Sequence, residues 1–87
     1  MQGEITAYTL AEGNGDGFTA SGTIPIEGRT IACDHLPFGT VVEINGHPYI
    51  VEDRFGAGYT NKFDIFMNSY HNAIQWGRQW HVVKIYQ

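Results

Sequence analysis

Short runs of alternating apolar and polar residues, cut every few positions by glycine, proline or asparagine, set the layout of this chain. Residues 4–10 (EITAYTL) are β-branched and aromatic and predict a first strand. Residues 11–22 (AEGNGDGFTASG) hold four glycines with Asn, Asp and Ser and predict a loop. The chain then turns through 24–28 into a short strand at 29–33, which runs out at Asp34 and His35. Residues 36–40 (LPFGT) form a rigid turn, and 41–44 the next strand. Asn45-Gly46 is the strongest hairpin signal present and pairs 41–44 with 47–52, where Pro48 fits an edge or strand-start position. Strict alternation over 49–53 places Tyr49, Val51 and Asp53 on one strand face. In 63–67 the same rule puts Phe63, Ile65 and Met67 on one face and Asp64 and Phe66 on the other. Residues 69–76 are the one helix candidate, with Asn68 or Ser69 as N-cap and Gly77 as the C′ residue. Trp76 and Trp80, on either side of Gly77, are expected to pack that helix onto the sheet. A last strand spans 80–86. The expectation is an all-β barrel or sandwich of about six short strands with one short helix.

With 87 residues the chain has room for one domain, spanning 1–87, whose core is modest. A net charge of −4 with five Lys and Arg leaves no basic stripe, so nucleic acid is excluded as a partner. The single Cys33, within Ile31-Ala32-Cys33, cannot form an internal disulfide and reads as a buried small apolar residue. No run approaches the ~18 apolar residues of a membrane span, and no signal peptide is read at the start. The EGNGDG piece resembles a calcium loop, but counting from Glu12 its twelfth position is Thr23 rather than glutamate, so calcium is set aside. His35, His47, His71 and His81 lack zinc-ligand spacing, so no metal or other cofactor is expected.

Two aspartates remain that the pattern does not absorb. Asp64 interrupts the apolar run Phe63-Asp64-Ile65-Phe66, and an aromatic setting pushes a carboxyl toward its protonated form, which is what a general acid requires. A buried acid satisfied by backbone N–H groups fits the same pattern. Asp53, ahead of Arg54 and Gly56, fits either a partner acid or the start of a turn.

A series of short segments, taken in order, resembles a known family. Ala7-Tyr8, Thr19-Ala20-Ser21-Gly22, Ala32-Cys33-Asp34 and Leu36-Pro37-Phe38-Gly39-Thr40 look like the first half of the three-aspartate (3D) domain. Glu52-Asp53, Lys62-Phe63-Asp64-Ile65-Phe66, Ala73, Gly77-Arg78 and residues 82–86 look like its second half. The resemblance implies a six-stranded double-psi β-barrel, related to membrane-bound lytic transglycosylase A, rare lipoprotein A and expansins, with a groove for a glycan chain. It assigns catalytic roles to Asp64, as the reacting acid, and to Asp53 and Asp34 as its companions. Asp53-Arg54-Phe55-Gly56 departs from the family's usual Thr-Gly-Gly after the second aspartate. Together with His35 it is closer to the lipoprotein A relatives. Tyr8, Ser21, His35, Arg54, Phe55 and Lys62 are the candidate substrate contacts, and Tyr59 a further stacking residue.

The function this implies is a secreted, muralytic enzyme of bacterial or phage origin. It would be a lyase cutting the bond between N-acetylmuramic acid and N-acetylglucosamine in peptidoglycan with formation of 1,6-anhydro ends. It is expected to act as a monomer on glycan strands, outside the cell or in the envelope. The alternatives are a hydrolase on the same bond, a non-catalytic expansin-like wall-binding module, and a docking piece of a larger particle.

Overall fold

The computed structural model describes residues 1–12 and 16–87. Gly13–Gly15, and with them the calcium-loop reading of EGNGDG, lie outside the described residues. Six strands, β1 (Gln2–Tyr8), β2 (Thr30–Ala32), β3 (Val41–Ile44), β4 (His47–Asp53), β5 (Lys62–Phe66) and β6 (Gln79–Tyr86), close into a barrel in the order β1-β5-β2-β4-β3-β6. The pairs β1–β5 and β2–β4 are parallel and the other four antiparallel. This mixed, mostly-strand barrel with one short helix, α1 (Tyr70–Trp76), is consistent with a double-psi β-barrel.

The barrel is filled by one residue in two from each strand: Ile5, Ile31, Val42, Ile44, Val51, Phe63, Ile65 and Val83, with Cys33 and Leu36 from the connection after β2. Gly3 makes room for this filling. A Cβ added there would stand 2.9 Å from both Phe63 Cε2 and Val83 Cγ2, closer than carbon atoms tolerate. Gly3→Ala is therefore expected to destabilise the barrel by about 1–3 kcal/mol through overpacking, read as a lower urea midpoint at unchanged m-value.

Local signals hold where they are short-range. Asn45 (φ 53°) and Gly46 (φ 78°) make the tight β3–β4 turn with both residues left-handed. Ser69 caps α1 by accepting the Asn72 N–H at 3.1 Å, and Gly77 (φ 66°) ends it. Pro48 is no edge residue in a closed barrel. It sits in the first turn of β4 opposite Glu43, before β2 joins at Ile50, so its missing N–H breaks no ladder bond there.

Two expectations are corrected. The first strand runs from Gln2 to Tyr8 rather than over 4–10, and Leu10–Glu12 form a 3₁₀ turn. Pairing with Val82 and His81 recruits Gln2 and Gly3, residues of weak strand propensity. Trp80 does not pack the helix: it is 53% exposed on the outer face of β6 with Val82 and Tyr86, because Val83 and the half-buried Ile85 take the inward positions. Trp76 and the buried Ala73 hold α1 against the barrel, the Trp76 indole N–H donating to the Ile5 carbonyl at 3.0 Å.

Candidate active site

The outer side of β1–β5–β2–β4 carries a second, smaller apolar cluster of Tyr8, Ala32 and Phe66, with Phe55 packed on it. Tyr8 meets Phe66 edge-on, ring centres 5.5 Å apart. Both aspartates of the 49–67 stretch come to this cluster. Ala32 pairs with Asp64 on one side and with Asp53 on the other, so the two acids flank it across β2. Their Cα atoms are two strand spacings apart, about 10 Å.

Asp64 reaches this face by simple alternation between the core residues Phe63 and Ile65. Asp53 does not, and the expectation that it shares a face with Val51 is corrected. Ile31 pairs with Val51 but Ala32 pairs with Asp53, so β4 carries one extra residue between those rungs. At such a bulge two successive side chains leave on the same side. Glu52 and Asp53 therefore both point outward, away from Val51. Glu52 accepts hydrogen bonds from the Thr30 hydroxyl (2.7 Å) and from Arg29 (3.2 Å), which fixes the bulge.

The two carboxyls sit in different surroundings. Asp53 is buried and accepts from the Tyr8 hydroxyl (2.8 Å) and from the Ala20 and Arg54 N–H groups (2.9 Å each). These three donors fix the carboxyl in place and leave it little freedom to turn. Burial first, then the hydrogen bond to Asp53 and the charges of Asp53 and Asp64, push the Tyr8 phenol far up, so it stays a protonated donor. Asp64 is half-buried. Its Oδ1 lies 2.8 Å from the Thr6 hydroxyl, which also stands 3.4 Å from the Phe63 carbonyl. That hydroxyl can donate to an ionised Asp64. By turning to Phe63 O it can instead accept from a protonated one. Phe66, in the same cluster, also lines a shallow cavity of about 240 Å³ with Leu10, Asn68 and Tyr70.

Asp34 stands apart. Its Oδ1 accepts the N–H groups of Phe55 (2.8 Å) and Gly56 (3.0 Å). Its Oδ2 accepts those of Ala57 (3.1 Å), Gly58 (2.8 Å) and Tyr59 (3.1 Å). Gly56 (φ 85°) and Gly58 (φ 75°) supply the left-handed turns that aim five successive N–H groups at one carboxylate, a backbone nest. Partial burial works against the charge, but these bonds outweigh it and hold the Asp34 carboxyl below the usual aspartate range.

The remaining candidates are engaged as follows. Phe55 lies on the cluster, and its ring meets Tyr59 edge-on at 5.4 Å. Arg54 donates to the Cys33 carbonyl (2.7 Å) and lies 3.9 Å over the Phe38 ring. Lys62 pairs with Glu4 at 3.6 Å and sits 4.2 Å over Tyr59. The Ser21 hydroxyl faces those of Thr19 and Thr23, while its N–H donates to the Glu52 carbonyl. His35 is exposed, with Nδ1 3.2 Å from the Cys33 sulfur and its ring edge-on to Phe63 at 5.7 Å. Burial pushes the Cys33 thiol up, away from the thiolate a nucleophile would need. Sequence reading missed Thr6 and the Ala20 N–H. A threonine facing outward from a strand leaves no pattern to find, and although Ala20 falls in the family-like segment Thr19-Ala20-Ser21-Gly22, the target of a backbone N–H is not written in the side chains around it.

Among the described residues no three His, Cys, Asp or Glu side chains gather as metal ligands would, and no helix is long and apolar enough to cross a membrane. A family model described as 3D domain matches residues 29–87. No curated protein matches the chain.

Proposed function

Because the chain belongs to the 3D-domain family, we propose that it is a peptidoglycan lytic transglycosylase, acting outside the cell or in the envelope. That family is associated with cell-wall-acting proteins. The observation that carries the finer reading is the pair of outward carboxyls flanking Ala32, one fixed by three hydrogen-bond donors and the other beside a hydroxyl that can serve either of its protonation states.

In this reading Asp64 protonates the glycosidic oxygen as the bond to C1 of N-acetylmuramic acid breaks. The sugar's own 6-hydroxyl then attacks C1, and Asp64, now ionised, takes its proton. The product is a 1,6-anhydro ring, and one carboxyl serves as acid and then as base. Thr6 follows both states by switching its hydrogen between Asp64 and the Phe63 carbonyl. Asp53, held by the Tyr8 hydroxyl and two backbone N–H groups, is the companion acid that steadies the oxocarbenium-like centre, and the half-buried Phe55 offers a ring beside the two acids. Asp34 acts at one remove, shaping the loop that delivers Phe55.

Digestion of purified sacculi tests the chemistry: products should carry anhydro ends, lighter by one water than the reducing ends a hydrolase would leave. Sugar-end products with the added water would replace the lyase reading by hydrolysis, and binding without release would leave an expansin-like module. Tyr8→Phe is expected to slow release and to cost about 1–3 kcal/mol of stability, since it strips a donor from a buried carboxylate. Unchanged thermal melting would show that the bond from Tyr8 to Asp53 is immaterial.

A further inference from the structure

At the end of the barrel below α1, a cavity of about 470 Å³ is lined by Glu27, His47, Tyr49, Met67, Gln75 and Trp76 among others. The proposed mechanism uses none of them. Met67, Tyr49 and Trp76 are half-buried and pack against the core, giving the cavity a partly aromatic lining beside the polar side chains of Asn72, Gln75 and Gln79. His47 is tilted against Tyr49 at 4.6 Å and fixed by the Gly28 carbonyl, 2.6 Å from its Nε2. Glu27 stands at the rim. One of its oxygens accepts the Asn68 N–H at 2.7 Å, and among the described residues no lysine or arginine pairs with it. Its charge reaches the Tyr49 phenol, which burial and Glu27 together push up.

A carboxylate without a cationic partner, beside the aromatic residues Tyr49 and Trp76 in a chain of net charge −4, is complementary to a positive group. Ring faces attract an ammonium electrostatically, and the carboxylate completes its charge. The volume suits a group of a few residues rather than a lone ion. Along the chain the cavity lies close to the reacting acid: Met67, which lines it, follows Asp64 by three residues, just past the end of β5.

We propose that this cavity binds an organic ammonium, and that in the cell wall this is the free side-chain amine of a diamino acid in the stem peptide. The ammonium class follows from the cavity alone. Its source in the stem rests on the peptidoglycan reading above, because the stem branches from the same sugar whose bond Asp64 would cleave. An amine on a de-N-acetylated glycan is the other source of the same chemistry.

Amide-shift titration of the whole chain separates these. The probes are Nα-acetyl-lysine N-methylamide, its Nε-acetylated form and a glucosamine oligomer. Saturable shifts at the Trp76 indole and the Asn68 and Gly28 amides are expected with the lysine probe and not with its Nε-acetylated form. Glu27→Gln, which keeps an oxygen for Asn68, should weaken that binding about tenfold or more. Equal response to the acetylated probe, binding that survives Glu27→Gln, or no response to any probe would overturn the proposal. Tighter binding of the glucosamine oligomer would overturn the stem assignment. None of these readouts involves bond cleavage, so a chain that binds lysine but releases no muropeptides would defeat the transglycosylase reading and leave this cavity assignment standing.

Discussion

Asp64→Asn is expected to leave the barrel folded and to cut muropeptide release by ~10²–10⁴, the usual worth of a positioned general acid–base group. The substitution is close to isosteric on a half-buried side chain, and the amide oxygen can still accept from Thr6 at the position Oδ1 now holds. What the amide lacks is the proton for the leaving oxygen and the basicity to take one back from the 6-hydroxyl. Both halves of the proposed reaction fail together, so no change of pH should rescue it. The decisive comparison is mass analysis of sacculus digests alongside thermal melting of the same preparations. A variant that melts like the wild type and still releases anhydro products would remove Asp64 from the chemistry.

The case of Asp64 also shows what a strand pattern can carry. A charged residue between Phe63 and Ile65 had to face away from the core, and the structure puts it there because nothing interrupts the alternation of β5. Asn45-Gly46, Ser69 and Gly77 were legible for a similar reason: each reports a backbone conformation decided within three or four residues. Asp53 was not legible in this way. Whether it follows Val51 into the core or turns out beside Asp64 depends on one unpaired residue in β4. That bulge is defined only by β2, some twenty residues earlier, and held by Thr30 and Arg29. The resemblance to the 3D domain placed Asp53 near the site where local alternation pointed it inward. The cavity beneath α1 was illegible altogether, since Glu27, Tyr49, Met67 and Trp76 come from four separate segments that only barrel closure brings together.

Asp34 yields the second large effect, and an unusual ranking of substitutions. Five N–H groups, from Phe55 through Tyr59, converge on its two oxygens, and backbone donors left without an acceptor are costly. Asp34→Ala is expected to cost on the order of 2–4 kcal/mol, a fall of roughly 10–20 °C in melting temperature for a domain of this size. Asp34→Asn, normally the gentler change, should be no better. Whichever way its amide turns, the NH₂ group faces either the two donors at Oδ1 or the three at Oδ2, donor against donor. The loss should follow pH in a defined direction. The folded-state carboxyl titrates below the ordinary value of 3.8, so its stabilisation is complete above that value and fades as pH falls through the lower folded-state one. The stability gap between wild type and Asp34→Ala should therefore be constant from neutral pH down to about 5, and close only in stronger acid. Because the same loop carries Phe55 onto the Tyr8–Phe66 cluster, activity should fall with the loop's order rather than with the loss of a reacting group. Any residual release by Asp34→Ala should keep the wild-type anhydro product. If Asp34→Asn instead melts like the wild type while its release falls as far as that of Asp64→Asn, Asp34 belongs to the chemistry and the nest is incidental.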